Sequence, residues 1–137
     1  SKTPVIVAPA MDARMYANTV TRANLDTLRE RGVIILGPGE GRLASGLIGV
    51  GRLIATHQLV GKIKYVLGRE GDFKGRRVIV SAGGTSESID PVREIANRSS
   101  GKMGYALAEA ARDRGAKTVL ITASKSLPDP VDVDIIR

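Results

Sequence analysis

The chain has 137 residues, 42% apolar and 26% charged, with one histidine, no cysteine and a formal net charge of +7. That length buries one ordinary core or parts of two. The lack of thiols excludes disulfides and thiolate metal sites, and with a single histidine no side-chain metal site is expected. No apolar run is long enough to cross a bilayer as a helix and no basic-then-apolar leader opens the chain, so the expectation is a cytoplasmic protein with no membrane partner.

In chain order, the run Pro4-Val-Ile-Val-Ala8 reads as a buried parallel strand. It starts so near the first residue that an upstream extension is expected, and both ends of the chain look cut. Pro9 to Tyr16 follows at the carboxyl end of that strand, where open α/β sheets bind ligands. Asn18 or Thr19 then caps a helix through Arg31 with Val20, Ala23, Leu25 and Leu28 inward, and Gly32 stops it. Val33 to Leu36 is a second buried strand. Residues 37–52 hold six glycines in sixteen positions and are expected to form a loop, most simply a mobile lid over a ligand. A helix over 53–68 places Leu59, Val60, Ile63, Val66 and Leu67 on one face, with His57 outside any motif.

Residues 62–77 carry six basic and two acidic side chains, so +4 of the net charge lies there. The net charge raises nucleic acid as a partner, but one Phe, one Tyr and no recognition motif make a solvated helix end and linker the better expectation. The polar stretch Gly68 to Gly75 marks a boundary, giving units 1–70 and 71–137. Val78-Ile-Val80 restarts the α/β pattern and breaks into Gly83-Gly84-Thr85. A polar loop leads to Ser99-Ser100-Gly101 and a helix from about 101 to 114 that buries Met103, Ala106, Leu107, Ala110 and Ala111. Strands follow at 118–121 and 131–136, around a Leu127-Pro-Asp-Pro130 turn. Strand–helix–strand order implies a right-handed parallel pair. The fold class is therefore α/β: three-layer α/β/α, with parallel Rossmann-like sheets in two partial domains.

Strand, glycine turn, polar loop and helix start make a phosphate site physically reasonable over 78–111, because glycine lets the backbone approach an anion and a helix start offers free N–H groups. The spacing fits neither Walker A nor GxGxxG.

The segment 83–104, GGTSESIDPVREIANRSSGKMG, closely resembles the start of the phosphopantothenoylcysteine synthetase domain. Residues 5–52 resemble the end of the phosphopantothenoylcysteine decarboxylase domain, with Pro9-Ala-Met-Asp-Ala-Arg-Met-Tyr16 for its Pro-x-Met-Asn-x-x-Met-Trp motif and 41–52 for its glycine-rich clamp. The two in this order are similar to the bifunctional coenzyme A flavoprotein family. The resemblance implies a ligase in which 4′-phosphopantothenate attacks CTP to give an acyl-cytidylate, which cysteine converts to an amide with release of CMP, magnesium assisting. It also implies FMN-dependent decarboxylation of the product to 4′-phosphopantetheine. It assigns Asn97 to turnover of the acyl-cytidylate, and Gly83, Gly84, Thr85, Ser99, Ser100, Gly101 and Lys102 to the phosphate surface. Arg93 is placed to pair with a phosphate or with Asp90. Met11 lies in the flavin motif. Asp12 stands where the family has Asn, and Ser45 where it has the clamp Cys. A carboxylate there repels a substrate carboxylate unless protonated, and Ser is a far weaker acid than Cys. The family's catalytic lysine and histidine fall outside the chain, so the fragment alone is expected to catalyse neither step. The intact enzyme is expected to be a homo-oligomer, trimeric through one half and dimeric through the other. Two other classes share parts of the pattern: an NAD(P)-binding oxidoreductase, which lacks its fingerprint here, and a basic nucleic-acid module.

Overall fold

A computed structural model of the chain describes residues 3–124 and 126–137. They divide into two compact units, one up to Ile63 and one from Lys64 onward.

In the first unit, strands β1 (Ile6–Val7) and β2 (Ile34–Ile35) pair in parallel, Ile6 opposite Ile34. Both fall within the predicted apolar runs, and the ladder extends through Ile34 N–H to Val5 O and Leu36 N–H to Val7 O, each at 2.9 Å. The crossover contains α1 (Ala13–Ala17) and α2 (Thr19–Glu30). Asn18 separates them: its N–H donates to Met15 O at the end of α1, and its Oδ1 accepts from Val20 N at 2.9 Å to start α2. Of the four expected inward residues of α2, Leu25 is buried and Val20 is exposed.

The expected loop at 37–52 is instead an antiparallel hairpin, β3 (Gly39–Arg42) and β4 (Ile48–Arg52). Glu40 and Arg42 lie opposite Val50 and Ile48 on one face, and glycines occupy the other. A Cβ at Gly49 would sit 3.3 Å from Ala13 Cβ, and one at Gly51 only 2.1 Å from Met11 O. The glycines therefore serve close packing of the hairpin on the chain around α1, and the Met11 N–H to Gly51 O bond of 2.8 Å fixes it there. Pairing slips by one residue between Gly39, opposite Arg52, and Glu40, opposite Val50, so that Gly51 is an extra, bulged residue. Helix α3 (Thr56–Gly68) follows and carries the division between the units.

The second unit is a parallel sheet, β5 (Arg77–Ala82), β8 (Lys117–Thr122) and β9 (Asp134–Ile136) in the order 5-8-9, with α4 (Lys102–Asp113) on one face. The core is Tyr105, Ala108 and Leu120, flanked by Val80, Ala82, Leu127 and Val133. The buried side of α4 is Gly104, Tyr105, Ala108, Ala111 and Arg112, whereas Met103, which the sequence pattern placed inside, is 79% exposed and Leu107 is exposed too. Contact is set by the smallest residue: a Cβ on Gly104 would lie 2.5 Å from Ala82 Cβ and 3.0 Å from Ser81 O. The helix therefore rests on β5 along Gly104 and Ala108, which turns Met103 and Leu107 aside. The opposite sheet face, with Ile79 and Ile121, is exposed.

Between β5 and α4 lies a second hairpin, β6 (Ser86–Ser88) and β7 (Glu94–Ala96), inside the stretch expected to be loop. At the other end of the sheet, the close of α3 meets the close of α4 backbone to backbone. A Cβ on Gly68 would fall 1.7 Å from Asp113 O, one on Gly71 2.6 Å from Arg114 O, and one on Gly115 2.9 Å from Gly68 O. The charged segment 68–75 docks there through its backbone and Phe73, while Arg69, Glu70, Asp72 and Lys74 stay exposed to solvent. Phe73 N–H donates to Arg114 O at 2.9 Å, the Arg114 guanidinium lies 4.0 Å over the Phe73 ring, and Asp72 pairs with Arg114. Arg112 is 1% exposed, donating to Val131 O at 2.6 Å and to Asp113 Oδ1. The last strand begins at Asp134 rather than at 131.

Candidate functional site

The second unit has a cleft of about 410 Å³ at the carboxyl ends of its parallel strands. Its walls are the turn after β5 (Gly83, Gly84, Thr85), the end of the β6–β7 hairpin with Asn97 and Ser99, and Ala123, Ser124 and Ser126 beyond β8. Gly83 has φ of 132°, a conformation that L side chains rarely adopt. A Cβ at Gly84 would lie 2.7 Å from Asn97 Oδ1, so this position too admits no side chain without displacing Asn97.

Asn97 is fixed by the turn it faces. Its Oδ1 accepts from Thr85 N at 2.7 Å, and its own N–H donates to Thr85 O at 3.3 Å. Because a backbone N–H can only donate, the amide orientation is settled, and the NH2 group is the end left over. No described residue accepts a hydrogen bond from it. Asn97 thus presents a positioned donor in the cleft.

The other predicted residues are arranged unevenly. Gly101, at φ of 72°, starts α4 without a side-chain cap and packs beside the turn, its missing Cβ 3.7 Å from Gly83 N. Ser99 lines the cleft, and Ser100 Oγ lies 3.5 Å from Lys102 N. Lys102 lines a different hollow, with Tyr105 and Glu109. Asp90 and Arg93 sit at the tip of the β6–β7 hairpin and bind each other. Asp90 Oδ1 accepts from Val92 N at 2.9 Å and Arg93 N at 2.7 Å, and Oδ2 accepts from Arg93 Nε at 2.7 Å. Those bonds, the Val92 N–H first and the Arg93 guanidinium next, hold the Asp90 carboxyl below the usual aspartate range. The segment after β8 went unnoticed in the sequence. Its signal is positional: in a parallel sheet, the loop after the neighbouring strand shares the ligand-binding edge. Tyr105 OH donates to Ser124 O at 3.4 Å and ties that loop to α4.

The first unit has its own cleft, of about 340 Å³, lined by Met11, Asp12, Leu43, Ser45, Arg52 and Leu53 among others. Asp12 is the N-cap of α1, its Oδ1 accepting from Arg14 N at 3.0 Å. The Arg14 N–H and then the Ser45 hydroxyl lower its carboxyl below the usual range, so Asp12 is ionised at neutral pH. The structure thereby joins the two residues that the sequence singled out separately. Among the described residues, no group of three His, Cys, Asp or Glu side chains is placed to hold a metal ion, and no helix is long and apolar enough to cross a membrane.

Residues 1–68 match the flavoprotein family, and residues 73–137 match the family described as DNA/pantothenate metabolism flavoprotein, C-terminal domain. The coenzyme A biosynthesis bifunctional protein CoaBC of Vibrio vulnificus (strain YJ016) is 45% identical over 134 residues, covering 98% of the chain and 33% of that protein. CoaBC of Mycobacterium tuberculosis (strain H37Rv) is 43% identical over 142 residues, covering 100% of the chain and 34% of that protein. CoaBC of Haemophilus influenzae is 41% identical over 134 residues, covering 98% and 34%. The chain spans about a third of the length of these relatives, across both matched regions. It belongs to the CoaBC family.

Proposed function

We propose that the second unit is the opening part of a CTP-dependent phosphopantothenate–cysteine ligase and the first unit the closing part of an FMN-dependent phosphopantothenoylcysteine decarboxylase. Both steps belong to coenzyme A biosynthesis. The observation that carries the ligase reading is the meeting of Gly83-Gly84-Thr85, Asn97 and Ser99 at the carboxyl edge of a parallel sheet.

In the ligase step a 4′-phosphopantothenate carboxylate oxygen attacks the α-phosphorus of CTP, pyrophosphate leaves, and an acyl-cytidylate results. The cysteine amine then attacks the acyl carbon, CMP leaves, and the amide forms after loss of a proton from nitrogen. Two anions must approach each other first, which backbone N–H groups and hydroxyls at the glycine turn favour. The leftover NH2 of Asn97 suits the acyl carbonyl: a donor that strengthens as the oxygen gains charge lowers the barrier to amine attack. A magnesium ion arriving with the nucleotide would neutralise phosphate charge.

In the first unit, Met11, Leu43 and Leu53 beside the Asp12–Ser45 pair suit one face of a flavin ring. FMN, when bound, supplies oxidation of the substrate thiol. The chain's own contribution there is an ionised Asp12, which accepts hydrogen bonds and disfavours a carboxylate at its side.

The test is a thermal-melt panel of the chain with magnesium plus CTP, ATP, NADPH, FMN or short RNA. The ligase reading requires CTP to stabilise more than ATP, with Asn97→Ala keeping that shift while abolishing turnover in the longer protein. Stabilisation by NADPH or RNA alone overturns it.

A further inference from the structure

The bulge in the first hairpin has a directional effect on one side chain. With regular pairing, Arg52 would continue the face of Ile48 and Val50, both exposed to solvent. The extra residue Gly51 shifts it by one, so Arg52 lies opposite Gly39 and shares a face with Gly39, Gly41 and Gly49. That face meets Ala13, beside Asp12. The side chain is seated there: a Cβ on Gly41 would lie 3.0 Å from Arg52 Cδ and 3.1 Å from a terminal nitrogen of its guanidinium. Arg52 thus crosses a floor that only glycine leaves open and lines the same cleft as Asp12 and Ser45. Among the described residues it has no ion-pair or side-chain hydrogen-bond partner, and it is absent from the groups that perturb Asp12. An exposed guanidinium turned by a bulge onto the glycine face and left without a carboxylate is an anion receptor.

We propose that Arg52 is a phosphate-monoester subsite of the first-unit cleft, binding the phosphate of a phosphorylated ligand by paired N–H donors while the Asp12–Ser45 pair accepts from that ligand's neutral donors. Phosphate fits better than carboxylate. Its three oxygens match the guanidinium fork, and a carboxylate held in a salt bridge would be stabilised against loss as carbon dioxide. The carrier's identity rests on the flavoprotein reading of this unit; the site itself rests on the hairpin. The phosphate comes from the flavin mononucleotide or from the phosphopantothenate moiety, and paired ligands separate these.

The experiment titrates the full chain, by quenching of flavin fluorescence, with FMN against riboflavin. Calorimetry then compares 4′-phosphopantothenate with pantothenate. The native chain is expected to prefer one phosphorylated member over its dephosphorylated partner by roughly tenfold or more. Arg52→Gln is expected to abolish that preference by weakening the phosphorylated member of the pair, and Arg52→Lys to restore part of it. Circular dichroism checks folding, which an exposed side chain should not disturb. Preference confined to the pantothenate pair and lost in Arg52→Gln keeps the subsite and assigns it to substrate. A phosphate preference that survives Arg52→Gln overturns the subsite while leaving the flavin reading intact. No phosphate preference in either pair also overturns it; riboflavin binding then reports separately on the flavin reading.

Discussion

Replacing Gly104 by alanine sets two effects of opposite sign against each other. In the middle of an exposed helix the change is stabilising by about 1 kcal/mol, because alanine is the better helix former. Here the new Cβ would arrive 2.5 Å from Ala82 Cβ, 3.0 Å from Ser81 O and 3.1 Å from Ala82 Cα. Carbon atoms settle at about 3.5–4.0 Å, so α4 must lift from β5 by roughly 1 Å. The obstacles are backbone and a methyl carbon, neither able to swing aside, which places the strain near the upper end of the roughly 1–3 kcal/mol seen for overpacking. The net expectation is a loss of about 2 kcal/mol, after subtracting the gain in propensity. Urea unfolding followed by circular dichroism measures it, with Ala106→Gly on the exposed side of α4 calibrating the propensity alone. If Gly104→Ala is as stable as the native chain or more so, the helix does not lie on β5 as described, and the placement of Gly101 beside Gly83 loses its support.

Four further outcomes are expected. On the proposed ligase reading, Asn97→Asp keeps an acceptor for Thr85 N–H but replaces the NH2 donor with anionic oxygen, and should weaken CTP binding by about tenfold or more, measured by calorimetry at fixed magnesium. Asp12 should titrate below the ordinary aspartate midpoint in carboxyl NMR, and Ser45→Ala should move it upward; an unchanged midpoint would remove the Ser45 contact. The sign for stability follows: a carboxyl depressed by folding contributes above its unfolded midpoint, and that contribution disappears as pH falls through the lower folded value. Arg112→Ala strips a buried guanidinium from Asp113 and Val131 O and should cost about 3 kcal/mol in denaturant unfolding; a loss below 1 kcal/mol would mean water replaces it freely.

Much of this was visible in the residues alone. The β-branched and apolar runs at 4–8, 33–36, 78–80 and 118–121 contain the parallel strands that continuous apolar sequence suggests, although one face of β5 and β8 is exposed at Ile79 and Ile121. The helix start at Asn18 was legible from capping chemistry, and the one near Gly101 from the spacing of apolar residues after Ser99-Ser100-Gly101. The hairpin at 39–52 was not, because glycine carries no strand propensity and its reason for being there, close approach to Met11 and Ala13, is tertiary. The inward face of α4 was misjudged by one position for the same reason: periodicity counts large apolar side chains, whereas the closest line of packing runs through Gly104 and Ala108. At the site, residue types announced the glycine turn and Asn97, but no pattern announced that Asp90 and Arg93 would satisfy each other, or that Ser124 would join the cleft from 27 positions beyond Asn97.

The glycine junction formed by Gly68, Gly71 and Gly115 has a consequence for how this chain can vary over generations. At that end of the sheet backbone touches backbone, so every side chain larger than hydrogen collides at three separate positions and drift is blocked irrespective of chemistry. At the opposite edge the cleft is bounded by turns whose lengths and polar residues can change without unseating the strands. A saturation-mutagenesis map of the second unit should therefore show one intolerant seam, read out as abundance in cells, and a separate set of cleft positions where abundance survives substitution. Selection has a fixed anchor at one end and room to retune chemistry at the other.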